Sequence, residues 1–195
     1  MIDLTTSSKI LNYCKSQGYP IADFNIIYLE GVSVNGRLNS DEPNQFNDCR
    51  CIFNSKQCLD IWQATTEPGY YYTDRPMNSA GAFRIAFGFH DRAWEIGWHG
   101  NSEPHQALVQ VGEVAGYRDY NRDMMRPGDQ KVFGCYGINQ HWGYDLPSND
   151  IGQASAGCLV GRTRSGHQQF MQYCLNSGLE LFSTIVIPGN EVLKF

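Results

Sequence analysis

The chain has no apolar run approaching the roughly 18 residues of a membrane-spanning helix, so no membrane span is expected. Its opening, MIDLTTSSKILNYC, has neither the basic stretch nor the uninterrupted apolar stretch of a secretion signal, which leads to an expectation of synthesis in a cytosol. Positive charge is also short. Fifteen Lys and Arg stand against twenty Asp and Glu, a net charge of −5, which excludes the electrostatic footprint of a nucleic-acid binder. No repeat, linker or low-complexity tract breaks residues 1–195, and they read as one catalytic-sized domain. No glycine pattern that cradles phosphate is present, so no nucleotide cofactor is implied.

Metal ligands are likewise incomplete. Cys49-x-Cys51 with Cys58 lacks two clean ligand pairs for zinc. Asp119, Asn121, Asp123 and Asp129 follow a calcium-loop spacing for three positions, without Gly at the sixth place or Glu at the twelfth. No metal and no cofactor are therefore expected. The odd count of seven cysteines, irregularly spaced, reads as reduced thiols.

What the chain does have is turn chemistry and β-favouring runs. Twenty Gly and eight Pro suit a turn-rich fold. Residues 6–17 read as a helix capped by Ser7 or Ser8, with Ile10, Leu11 and Cys14 on one face and Gly18 and Pro20 as its stop, so that 1–20 forms an appendage. Strand signals follow at 25–30, 34–37, 59–65, 82–89, 93–98 and 107–111, divided by turn residues. Helical spacing returns at 167–177, with Gly178 as its stop, and 181–187 reads as a closing strand. The expected class is mainly β with a few helices (α+β), a sandwich or mixed-sheet body that is mostly antiparallel.

Chemistry concentrates at 136–162. Cys158 follows Gly157 and the small residues Ala154, Ser155 and Ala156, a setting in which a tight turn exposes the sulfur and points backbone amides at one spot. A thiol of ordinary pKa needs a base to attack, and His141 lies at the end of a β-like run seventeen residues upstream. A paired thiolate and imidazolium would depress the thiol pKa and raise that of His141. The other six cysteines read as packing or incidental surface. His99 and His105 are candidates for the cleft or for orienting the pair. His167, at the start of the late helix, reads as capping or solvated.

The order Ile138-Asn139-Gln140-His141-Trp142-Gly143, then Ile151-Gly152, then Ser155-Ala156-Gly157-Cys158-Leu159-Val160, resembles the L,D-transpeptidase catalytic-domain family. The resemblance implies that family's sheet-based fold and a cysteine acyl-transfer enzyme whose partners are peptidoglycan stem peptides. It implies Cys158 as nucleophile, His141 as base, Ser155 near the thiolate, and Gly157 with Cys158 as oxyanion amides. Asn139, Trp142, His99 and Arg162 become candidates for substrate contact. The chain departs from the pattern in three ways. Thirteen residues separate His141 from Ser155, one short of the usual spacing; Ala156 stands where His is common; and Val160 holds the place of an arginine that arrives here as Arg162.

Hydrolysis is preferred over transpeptidation, because a wall-building transpeptidase normally carries an export signal or anchor. An endolysin or an injected or secreted effector, acting at the cell wall or periplasm after release, fits that expectation. The alternatives are an L,D-transpeptidase that forms cross-links and a non-catalytic wall-binding module of the same fold. For the last, eleven Tyr, ten Phe and four Trp could furnish a sugar-stacking groove.

Overall fold

The computed structural model describes residues 2–194. In chain order the elements are α1 (Leu4–Ser16), β1 (Asn25–Glu30), β2 (Asp48–Phe53), β3 (Cys58–Thr65), α2 (Tyr70–Asp74), β4 (Ala82–Ile85), β5 (Gly88–His99), β6 (His105–Gln110), β7 (Val114–Asp119), β8 (Gln130–Gly134), β9 (Gln140–Trp142), β10 (Leu159–Gly161), α3 (Arg164–Asn176), β11 (Phe182–Pro188) and α4 (Gly189–Val192). The protein is mainly β, as the turn-divided apolar runs predict. Eight strands close into a barrel in the order β1-β11-β5-β6-β9-β10-β3-β2, and β4-β7-β8 form a separate sheet. Pairing is mostly antiparallel; β1 with β11 and β9 with β10 are the parallel pairs.

Alternation along the strands builds two cores. Ile26 and Tyr28 of β1, with Ile52, Trp94, Leu108 and Leu159, face the barrel interior, where α3 supplies Phe170, Met171 and Cys174. Ile27 and Leu29, with Cys49, Cys51 and Ile185, face outward and are covered by Ile10, Leu11 and Cys14 of α1. Burial on both faces explains why β1 and β2 are buried at every position. Each such Ile or Leu contributes about 1.5–3 kcal/mol.

The helices start earlier than the sequence predicts. Asp3 caps α1 by accepting from the Thr6 N–H at 2.7 Å; the expected caps are used otherwise, Ser8 donating to Leu4 O and Ser7 accepting from the Cys58 N–H. Thr163 caps α3, so His167 falls inside the helix rather than at its start and is buried, 1% exposed. The run at 82–89 breaks at Ala86 and Phe87 into strands of different sheets, and 34–37 is a turn flanked by the Val32–Leu38 bridge. The 118–123 stretch, whose Asp119, Asn121 and Asp123 follow the incomplete calcium-loop spacing, is the end of β7 and a loop bound to it. Asp119 there is fully buried and accepts from the N–H groups of Asp123 and Met124.

Arg50 of β2 points into the barrel with no exposed surface. It donates to His167 Nδ1 at 3.2 Å and lies 3.9 Å from the Phe170 ring centroid. His167 Nε2 donates to Gln106 O, which ties α3 to β6.

Candidate active site

The parallel pairing of β9 and β10 places the candidate nucleophile and base. Its register sets Val160 beside His141 and Leu159 beside Gln140. Continued by one residue, it sets Cys158 beside Asn139, and the Leu159 N–H indeed donates to Asn139 O at 3.0 Å. Because side chains alternate, Cys158 and His141 share a face, and both line one cavity of about 570 Å³. Phe83, Arg118, Tyr136 and His99 line it too.

The turn before Cys158 is held by Ser155, which is fully buried. Its hydroxyl donates to Cys158 O at 2.8 Å and accepts from the Gly157 N–H at 3.2 Å. Gly157 has φ +131°, and a Cβ there would stand 2.5 Å from Phe83 O, so only glycine fits. The oxyanion expectation changes accordingly. The Gly157 N–H is committed to Ser155, whereas among the described residues no acceptor meets the Cys158 N–H.

Histidine geometry fixes the protons. His141 Nδ1 lies 2.7 Å from Trp142 O, and since a carbonyl only accepts, Nδ1 carries the hydrogen and Nε2 keeps its lone pair. His99 stacks on His141, centroids 3.9 Å apart and planes at 11°. Asn139 accepts from the Gln110 N–H with Oδ1, which leaves its Nδ2 to donate to His99 Nδ1 at 3.0 Å. His99 in its neutral form therefore carries its proton on Nε2.

The electrostatics differ from the expected ion pair. Burial pushes the Cys158 thiol up to about 11, although the Asn139 N–H beside it acts in the opposite sense. Burial, and then His99, hold His141 well below the usual histidine range, and burial takes His99 down to about 4. The resting pair is neutral thiol and neutral imidazole. Consistent with that, Cys158 Sγ donates to Gly137 O at 3.6 Å, and no hydrogen bond joins it to His141. The cause is the burial of both groups, which a sequence motif does not display.

Other sequence candidates are placed elsewhere. Arg162 donates to Gln63 Oε1 and Leu146 O and does not line the cavity; it braces the loop ahead of the nucleophile turn. Trp142 faces away and stacks on His105 at 3.8 Å. Asn139 orients His99 instead of facing the cavity. His105 is buried and donates from Nδ1 to Glu103 O. Several wall residues were not among the sequence candidates. Arg118 stood in an Arg-Asp run that reads as solvated, and Cys135 and Tyr136 are signalled only by adjacency to Gly137. Asp119, Asp123 and Asp129 converge, with a ligand oxygen from each within 4.8 Å of the others.

No protein-family model, curated protein or solved structure matches this chain.

Proposed function

We propose that the protein is a cysteine-dependent acyl-transfer enzyme, with Cys158 as nucleophile and His141 as base. The observation that carries this reading is the shared cavity in which His141, its Nδ1 hydrogen held by Trp142 O, keeps an unprotonated Nε2 on the face that bears Cys158. Because both groups rest neutral, proton transfer accompanies attack instead of preceding it. As the sulfur bonds to the substrate carbonyl carbon, Nε2 takes the thiol proton and the Cys158 N–H meets the developing oxyanion. The imidazolium then gives that proton to the leaving amine, and a thioester remains. Water, deprotonated by His141, resolves it to acid and free thiol; an incoming amine would instead give a new amide.

The resemblance of 136–162 points to peptidoglycan stem peptides as substrate, and hydrolysis is the preferred branch, with an endolysin or delivered effector acting at the wall. Mass spectrometry of purified peptidoglycan fragments after incubation tests this, reporting which bond is cut or made. Release of a stem-peptide residue by the native chain and its loss in Cys158→Ala supports the proposal. Equal release by both overturns it. A second reading, a non-catalytic wall-binding module, is favoured by one observation, the thiol resting protonated against Gly137 O. Fragment binding without turnover would select it.

A further inference from the structure

The cavity that holds Cys158 has an asymmetric charge. Its lining includes Arg118 and no Asp or Glu. The other arginines that meet acids in the fold are neutralised: Arg84 pairs with Glu67, Arg126 with Glu30, and Arg164 with both Glu103 and Asp145. Arg118 has no acidic partner among the described residues. It is fixed all the same, lying 5.3 Å from the Phe83 ring centroid and 4.8 Å from that of Tyr136, with Nη1 donating to Gly81 O at 3.3 Å. A cation held against two rings that themselves lie 5.2 Å apart, half-buried and without a counter-charge, has been positioned at a cost in solvation and rotamer freedom that no internal ion pair offsets. Arg118 lines the cavity, and a planar guanidinium with one N–H bonded to Gly81 O keeps further donors of the kind that suit a carboxylate.

We propose that Arg118 is the specificity-determining residue for the acyl donor: it receives a carboxylate of the substrate, so that Cys158 acts on chains with a free carboxylate close to the carbonyl under attack. This rests on the reading of Cys158 as nucleophile. It adds a substrate class to it: anionic peptides, with amidated or neutral counterparts disfavoured. The chain's overall charge of −5 works against anions, so a preference for them at Cys158 must be local.

The test uses two alkylating agents of nearly the same size, iodoacetate and iodoacetamide, on the full-length reduced protein at pH 8.5. Modification of Cys158 is quantified by mass spectrometry. Cleavage at Asp145 or Asp150 separates Cys158 from Cys135, which lines the same cavity. The rate ratio, iodoacetate over iodoacetamide, is referred to that of glutathione. Arg118 should raise it about fivefold at low salt, with the excess fading in 1 M NaCl. Arg118→Gln should return it to the glutathione value, and Arg118→Lys should keep most of the excess. A native ratio equal to that of glutathione overturns the proposal, and so does an excess that survives in Arg118→Gln. The native protein's ratio and its salt dependence decide the matter even if the glutamine variant fails to fold. The alkylation readout needs no turnover. Failure of the enzyme reading appears in the Cys158→Ala experiment on peptidoglycan, and failure of the Arg118 assignment appears here.

Discussion

The chemistry at residue scale depends on where two protons sit. A thiol pushed up to about 11 is almost wholly protonated at neutral pH, and an imidazole held well below its usual range is almost wholly neutral. Alkylation of Cys158 by iodoacetamide should therefore be slow at pH 6 and climb steadily past pH 9, with its midpoint near 11 and not below 8. His141→Ala removes no resting ion pair, so that profile should shift little, while peptidoglycan turnover falls by roughly 10² to 10⁴ for want of a general base. Rapid alkylation at pH 6 that disappears in His141→Ala would restore the thiolate–imidazolium pair. Motif residues 138–142 and 155–158 made it legible that Cys158 and His141 line one cavity. They could not show the direction of the pKa shifts, because these come from distant walls such as Phe83 of β4 and His99 of β5.

Among the elements, the turn 155–158 and the strand β10 behind it set the nucleophile's position. Gly157→Ala would place a methyl group 2.5 Å from Phe83 O at a φ of +131°. The turn or β4 must then move, and a loss of about 1–3 kcal/mol in denaturant unfolding is expected together with loss of turnover. Unchanged stability and activity would show that the turn is not held against β4. Helices α1 and α3 could be read from their 3.6-residue spacing, as could β1, β3 and β11 from apolar runs between turn residues. Strand β2 could not, because Asp48 and Arg50 interrupt its apolar positions and both are buried for tertiary reasons. Asp48 accepts from the N–H groups of Gly31 and Thr66, while Arg50 meets His167 on α3. Nor could closure of the barrel. It depends on the parallel contact between β1 and β11, whose first residues lie at 25 and 182 in the chain, and no local pattern records that.

Across the whole molecule, buried neutral groups make stability depend on pH at both ends. All five histidines are lowered, with burial the leading cause in each. Below pH 6.5 the unfolded chain binds protons on them that the folded chain refuses, so stability falls as pH drops. Between about pH 4.5 and 6 this is partly offset, because burial raises Asp48, takes Glu67 up to about 7 and takes Asp41 up to about 6, so the folded chain holds protons there that the unfolded chain has lost. The alkaline side has no such offset among the thiols. Cys14, Cys49, Cys51, Cys158 and Cys174 are all raised, chiefly by burial. Above the unfolded value of about 8.5 the unfolded chain releases protons that the folded chain keeps, and each such group removes about 1.4 kcal/mol per pH unit until its folded pKa is reached. Raising the pH from 7.5 to 9.5 under reducing conditions should lower the midpoint of thermal unfolding by more than about 10 °C, because several thiols act together in a domain of this size. Replacing Cys51 and Cys174 by alanine and valine would cost packing at every pH yet flatten that alkaline slope. An unfolding midpoint that is the same at both pH values would show that these thiols titrate freely in the folded protein, and with that the closed cores around β2 and α3 would have to be open to water.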